Sequence, residues 1–246
     1  MLDIRNKRGN SMIKLSCAWR NLILVNYRID PEVLKPYLPR YTELDFYQGE
    51  CLISIVGFLF EDVRLMGLPI PFHQKFEEFN LRFYVRHHKN GTSRRGVVFL
   101  REFVPNLGIS LMANVFAREK YRKLPMKHTQ SIDENVQTAS YSFQVKGKWN
   151  SLSCRADILE RKIDPGTLED FIAEHYFGYN KWYGNRTLEI RLKRPVWNYQ
   201  PLLSYELQCR FGDFYPPVFL PYLSSQPHSV QFITGSPVVM MPSRII

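Results

Sequence analysis

The sequence has no long hydrophobic run. No stretch reaches the roughly 18 uncharged apolar residues that a membrane-spanning helix needs, and residues 1–14 are polar and basic. These absences predict a cytoplasmic protein that does not associate with membranes. No linker or internal repeat divides the chain, so we expect a single domain over residues 12–246, preceded by a flexible N-terminal lead of residues 1–11.

The sequence also lacks the motifs of metal and cofactor sites. Its four cysteines are far apart, with no C-x-x-C pair and no histidine at ligand spacing; they are Cys17, Cys51, Cys154 and Cys209. They are therefore predicted to be buried reduced thiols. We also find no G-x-S-x-G motif, phosphate loop or dinucleotide fingerprint, so we expect no metal and no cofactor.

Acidic residues are too few to balance the basic ones. The chain has 33 lysines and arginines against 23 acidic residues, a formal net charge of +10. Such a surplus suits nucleic acid or anionic small molecules. The cations are spread over the whole chain without a zinc-finger, KH or RNP-like motif, so nucleic-acid binding is kept only as a second alternative. That alternative predicts an affinity that falls steeply with salt.

Apolar residues are abundant, and their spacing predicts a fold rich in strands. A long hairpin is expected to run from Phe79 through a turn at Asn90-Gly91 to Leu100. A second hairpin should place Tyr141, Phe143 and Val145 opposite Leu152, Cys154 and Ala156. Strands joined by turns favour a mainly β (α+β) class with an antiparallel sheet closed or curled around a core.

Three short segments carry helix signals. Asp30 is expected to cap a helix with Pro31 at its first position. Thr167 and Asp170 form a capping box before a second helix. Residues 108–122, in which Met112, Val115 and Phe116 would face inward, are predicted to form a third helix with a cationic C-terminal end.

A cluster of cations follows this third helix in the stretch "EKYRKLPMKHTQ", residues 119–130. One interpretation is a solvated helix end and loop. The other is a reactive amine, because burial or a neighbouring cation lowers the pKa of a lysine until it becomes a nucleophile. Lys127, with Lys123 and His128 close in sequence, is the candidate catalytic residue.

Two further polar positions are candidate ligand-binding residues. Glu77 and Glu78 begin a strand, so their side chains point to opposite faces; we expect one to be solvated and Glu78 to face inward and need a cation. Arg20 precedes a strongly apolar strand and is either a strand-start charge or the partner of a buried acid. His87 and His88 are predicted in a solvated hairpin loop, and a core-edge histidine bonded to a backbone carbonyl is expected at position 175.

Several segments together resemble a known family. "VNYRIDPEVLKPYLPRYTELD" is similar to the N-terminal pattern of the acetoacetate decarboxylase superfamily. "EEFNLRFYVR", "AREKYRKLPMKH" and "FIAEHYFGYNKW" resemble the related YqjF-like family of unknown function, and the resemblance runs from about Trp19 to Trp197. It implies an antiparallel, cone-like β-barrel with a few helices and an internal cavity.

The resemblance also implies roles for individual residues. In acetoacetate decarboxylase, a second cation beside the Schiff-base lysine activates that lysine; the Pro-Lys-Lys motif of that enzyme reads Pro125-Met126-Lys127 here. Met126 thus occupies the position of the Schiff-base lysine, and Lys127 that of its neighbour. Arg20 and Glu78 match an arginine and a glutamate of the family's cavity, whereas a second family glutamate falls near Ile55 and is absent.

The expected function is therefore an internal small-molecule site lined by Arg20, Glu78, Met126 and Lys127. An anionic or carbonyl-containing ligand, such as a keto acid, would suit the planar guanidinium of Arg20. If Lys127 faces the cavity, imine formation or decarboxylase-like lyase chemistry follows; the alternative is a non-catalytic ligand-binding protein. The sequence also leaves a homo-oligomer open.

Overall fold

Strands dominate the structure, a computed structural model that describes residues 14–89, 91–105 and 121–246. This confirms the predicted mainly β class. Each of the two expected hairpins is present, formed by β6 with β7 and by β10 with β11. The strands are β1 (Leu15–Arg28), β2 (Glu43–Leu44), β3 (Phe46–Tyr47), β4 (Glu50–Leu65), β5 (Leu68–Pro69), β6 (Phe76–Lys89), β7 (Thr92–Val104), β8 (Tyr121–Lys123), β9 (Met126–Asp133), β10 (Val136–Val145), β11 (Lys148–Asp157), β12 (Arg161–Lys162), β13 (Phe177–Trp182), β14 (Arg186–Lys193), β15 (Asn198–Gln200), β16 (Leu202–Gln208), β17 (Ser229–Met240) and β18 (Arg244–Ile245).

The helices of the described residues are short. They are α1 (Pro31–Leu34), α2 (Leu168–Ala173) and α3 (Leu220–Leu223), with 3-10 helices at Lys35–Tyr37, Phe211–Asp213 and Pro217–Phe219. The predicted caps are confirmed, because the Asp30 carboxylate accepts a hydrogen bond from the Glu32 amide and the Thr167 hydroxyl accepts one from the Asp170 amide. Both caps satisfy amide groups that a helix start leaves without a partner.

The larger sheet closes on itself. Its pairings run from β17 through β1, β4, β6, β7, β13 and β14, and β14 pairs again with β17. Closure satisfies the strand edges that an open sheet would expose. The ring has an interior face, which carries the side chains of Trp19, Phe58 and Tyr84, and an outer face on which a second sheet packs.

The second sheet has the strand order β16-β11-β10-β9 and covers the outer face of the ring. Between the two sheets lies a packed aromatic cluster. Phe143 is fully buried there, with its ring centroid 4.5 Å from that of Phe79 and 5.2 Å from that of Phe214. The period-2 alternation of apolar residues on β6 and β10 supplies this core.

Glycine is required where the ring closes between β7 and β13. A Cβ atom on Gly96 would lie 2.6 Å from the Tyr179 ring and 2.7 Å from the Phe177 carbonyl oxygen. The neighbouring residue Val97 makes the pairing with Gly178 that joins the two strands. The absent side chain therefore permits the close approach that completes the ring.

The structure differs from the predictions in local detail. The pairings β7–β13 and β7–β8 are parallel, so the sheet is not wholly antiparallel. Most of the predicted helix at residues 108–122 lies outside the described residues, but Tyr121 and Arg122 belong to strand β8. His87 lies in β6 and is buried, with Nδ1 2.6 Å from the Tyr41 carbonyl oxygen, because the strand extends to Lys89.

Candidate functional site

The interior of the ring contains a cavity of about 120 Å³. Its walls are mostly aromatic and aliphatic. Trp19 lies at the centre of one wall, with ring centroids 5.4 Å from Phe58, 5.9 Å from Phe60 and 6.1 Å from Trp197. A largely apolar cavity with a few polar groups is the usual form of a small-molecule site.

Strand β6 brings a row of polar side chains into this cavity. Glu78, Asn80 and Arg82 alternate with apolar residues, so all three point to the same face of the strand, and all three line the cavity. Glu102 on β7 is paired in register with Asn80, and Tyr121 on β8 is paired with Glu102. The polar lining is thus built from three adjacent strands.

Arg82 is a buried cation that forms no ion pair with any of the described residues. Its side chain is almost inaccessible, the residue being 6% exposed. Nη2 donates to the Ile172 carbonyl oxygen at 3.1 Å, whereas Nε has no hydrogen-bond partner. Among the described residues no carboxylate oxygen lies within 4.0 Å of this guanidinium. Burying a charge without an ionic partner is costly, and the charge of Arg82 also acts on the nearby Glu78 by partly opposing the rise of its pKa.

His175 lies beside Arg82 on the cavity wall. It is 5% exposed, and its ring packs 4.9 Å from the ring of Tyr84. The predicted backbone partner is present at Ile172, but neither ring nitrogen makes a hydrogen bond of good geometry. Burial, followed by the charges of Arg95 and Arg82, holds the pKa of His175 well below its usual range, so the imidazole is neutral.

Three arginines hold the end of helix α2 next to His175. Each donates to one of three consecutive carbonyl oxygens, and cations at a helix C-terminus complement its dipole. The pairs are Arg95 with Phe171, Arg82 with Ile172 and Arg194 with Ala173. Because Arg82 is one of the three, the cavity's cation is anchored to the same element that positions His175.

An acidic group occupies another part of the wall. Glu78 is 4% exposed, and its Oε1 accepts a hydrogen bond of 2.8 Å from Asn80 Nδ2. Burial, and next the charge of Glu102, raise the pKa of Glu78 well above its usual range. Burial and the same carboxylates raise the pKa of Tyr121. The Glu78 carboxyl group therefore tends to keep its proton.

Of the four predicted site residues, Glu78 alone lines the cavity in the described structure. Arg20 follows the inward-facing Trp19 on β1 and lies opposite Leu59, a residue of the outer core, so it projects away from the cavity. The predicted roles of Arg20 receive no support from this position.

Lys127 and Met126 begin strand β9 of the second sheet, outside the ring. Lys127 is exposed, with Nζ 4.4 Å from the centroid of the Trp149 ring. Met126 is half-buried against the core between the sheets. Neither residue lines the cavity. Imine chemistry required an inward-facing Lys127, and the position of this side chain does not meet that condition.

Glu77 was expected in solvent but is buried on the outer face of β6. Its Oε1 lies 2.5 Å from His128 Nδ1 on β9. The two glutamates do point to opposite faces, as the strand period requires. The second sheet covers the outer face, so both carboxyl groups leave solvent.

Sequence reasoning missed Asn80, Arg82, Glu102, Tyr121 and His175 as site residues. A signal for part of the set was present, because positions 78, 80 and 82 are polar and alternate with Phe79 and Leu81. That pattern is also typical of a solvent-facing strand surface. Within the described ranges no group of His, Cys, Asp and Glu side chains could hold a metal ion.

The fold is that of acetoacetate decarboxylase-like proteins. The chain is similar to an acetoacetate decarboxylase-like enzyme from Sphingomonas wittichii RW1, with a TM-score of 0.64, 13% identity and coverage of 94% of this chain and 92% of that one. Acetoacetate decarboxylase from Legionella pneumophila gives a TM-score of 0.64 at 12% identity, over 100% of this chain and 92% of that one. The enduracididine biosynthesis enzyme MppR complexed with pyruvate gives 0.62 at 12% identity, over 98% and 91%.

The family follows from the sequence match. The model of the DUF2071 family, described as an uncharacterized conserved protein, matches residues 16–236, and the chain belongs to this family. It is 35% identical over 69 residues to the uncharacterized protein YqjF of Bacillus subtilis (strain 168); the match covers 28% of each of the two chains. In the described parts of the chain, no helix has the length and hydropathy of a membrane span.

Proposed function

We propose that the protein binds a small carboxylate, or a similar anionic carbonyl compound, in the cavity of the closed sheet. The observation that carries the proposal is Arg82, a buried guanidinium that faces the cavity with no acidic partner among the described residues. A ligand carboxylate at this position would pair the charge and accept from Nε. The planar guanidinium group matches carboxylate geometry.

Two further donors support an oxygen-bearing ligand. The Nε1 group of Trp19 is buried without a hydrogen-bond partner of good geometry. The same holds for the one N–H group of the neutral His175 ring. Most buried polar groups in proteins are hydrogen-bonded. Several exceptions on the wall of one cavity favour a ligand that supplies the missing acceptors.

The size of the cavity limits the ligand to a compact molecule. An apolar cavity of about 150 Å³ holds one benzene ring, and the cavity here is about 120 Å³. A carboxylic acid of about three to five carbons meets that limit. Its alkyl part would contact Phe58, Phe60 and Phe76 on the apolar wall.

The proposal is for binding and assigns no imine step. A Schiff base needs a lysine at the ligand, and the described part of the cavity wall contains none. The pyruvate complex of MppR concerns a protein of the same fold. It makes pyruvate a suitable first probe.

Binding is tested by ligand-observed NMR titration with pyruvate and with butyrate. We expect both acids to bind, and Arg82→Gln to weaken their binding at least about tenfold, because loss of one partner of a buried charge pair costs about 2–5 kcal/mol. The unfolding temperature of the variant is recorded in parallel.

Arg20→Gln and Lys127→Gln are the matched controls, since each removes a cation outside the cavity. Both are expected to leave the affinities within about twofold of those of the unsubstituted protein. Loss of binding in Lys127→Gln with retention in Arg82→Gln would overturn the proposal. So would the absence of binding of either acid.

A further inference from the structure

Asn80 is a second buried group on the cavity wall without a full set of partners. It is 2% exposed and lies between Glu78 and Arg82 on β6. Nδ2 donates to Glu78 Oε1, which orients the amide, and Oδ1 has no hydrogen-bond partner. A buried acceptor left without a donor costs about 1–3 kcal/mol, so the site has a place for a hydrogen-bond donor.

The position of this acceptor relative to the cation limits the ligand. Asn80 and Arg82 are two residues apart on one strand, so their Cα atoms are separated by about 7 Å and their side chains share a face. Arg82 Nη2 is held at the Ile172 carbonyl oxygen, and Nε has no partner. A donor group and a carboxylate on one short molecule can therefore reach both residues.

We infer that the ligand is a short hydroxy acid, whose carboxylate pairs with Arg82 and whose hydroxyl group donates to Asn80 Oδ1. This inference rests on the proposed function and specifies its ligand class. A keto oxygen at the same place would face the Asn80 oxygen with acceptor against acceptor. The site thus distinguishes a hydroxy acid from the corresponding keto acid.

The apolar wall agrees with this ligand class. Trp19, Phe60 and Phe76 offer ring faces but no additional acceptor to a second hydroxyl group. A molecule with one hydroxyl group, one carboxylate and a short alkyl part leaves no polar group of its own against these rings.

Three four-carbon acids test the inference on the unsubstituted protein. NMR titrations compare 3-hydroxybutyrate, butyrate and acetoacetate, which differ at carbon 3. We expect 3-hydroxybutyrate to bind at least about tenfold more tightly than butyrate, because an unpaired buried polar group penalises the analogue that lacks the matching donor. Acetoacetate should bind no more tightly than butyrate.

The variant Asn80→Leu tests whether the preference for the hydroxy acid depends on Asn80. It is expected to reduce the preference for 3-hydroxybutyrate over butyrate to about one, because the acceptor that the hydroxyl group would pair with is gone. Equal affinities of the unsubstituted protein for the three acids would overturn the inference and leave the proposed function standing, provided that binding still depends on Arg82. If none of the acids binds, both fail.

Discussion

The two faces of strand β6 differ in how completely their buried side chains are packed and hydrogen-bonded. On the outer face, Glu77 meets His128 at 2.5 Å and Phe79 packs on Phe143. On the inner face, Asn80 and Arg82 are just as deeply buried but retain polar atoms without partners. One strand thus serves a filled core on one side and an incomplete polar site on the other.

This contrast distinguishes buried groups that stabilise the fold from buried groups that are suited to bind a ligand. A filled core and paired charges stabilise the folded state, whereas unpaired buried polar atoms oppose it. Such atoms are expected where a ligand completes the set. The inner face of the ring therefore carries the candidate site, and the space between the two sheets is the larger packed core.

The largest effect is expected for truncation of the outer core. Phe143→Ala should lower the free energy of unfolding by about 3–5 kcal/mol, because the side chain is fully buried among aromatic rings. Phe58→Ala on the cavity wall should cost about 1–2 kcal/mol less, since part of its surroundings is already empty. Urea denaturation of both variants measures the difference. Equal costs would show that the cavity is filled in solution.

A smaller difference in the free energy of unfolding is expected between substitutions of two buried arginines. Arg194 pairs with Glu174 at 3.1 Å, so Arg194→Met should cost about 3 kcal/mol by leaving the carboxylate unpaired. Arg82 has no acidic partner in the described structure, so Arg82→Met should be neutral or stabilising by up to about 1 kcal/mol. The same denaturation experiment checks both. A cost for Arg82→Met as large as that for Arg194→Met would contradict its assignment as an unpaired cation.

The smallest expected effect is a change in how the stability of the folded state depends on pH. The folded state raises the pKa of Glu78 through burial and the nearby Glu102, so above the unfolded value of about 4.3 the unfolded chain releases a proton that the folded chain retains. Stability then falls as the pH rises from this value toward the raised pKa. Glu78→Gln should remove that decline and gain stability at neutral pH relative to the unsubstituted protein.

Glu77→Gln is the control for this measurement, because it changes the neighbouring carboxyl group on the outer face. It breaks the contact with His128 and should lose stability at neutral pH. Thermal unfolding between about pH 4.5 and 8 follows both variants. Parallel curves for Glu78→Gln and the unsubstituted protein would rule out a protonated Glu78 in the folded state.

Local sequence patterns were sufficient for much of the fold. Alternating apolar residues predicted both long hairpins, and Asp30 and Thr167 marked two helix starts, because caps and strand periods depend on neighbouring residues. The position of Lys127 was beyond such reasoning. A family motif places this lysine beside a reactive centre, but the pairing of β9 with β10 carries it to the surface of the second sheet.

The polar residues of β6 show more clearly where prediction from local sequence ends and tertiary structure decides. The sequence by itself determined that Glu78, Asn80 and Arg82 share one face of a strand, because side chains alternate along any extended chain. Only the tertiary structure decided that this face is an interior. The pairing of β14 with β17, far apart in the chain from β6, closes the ring and removes the face from solvent.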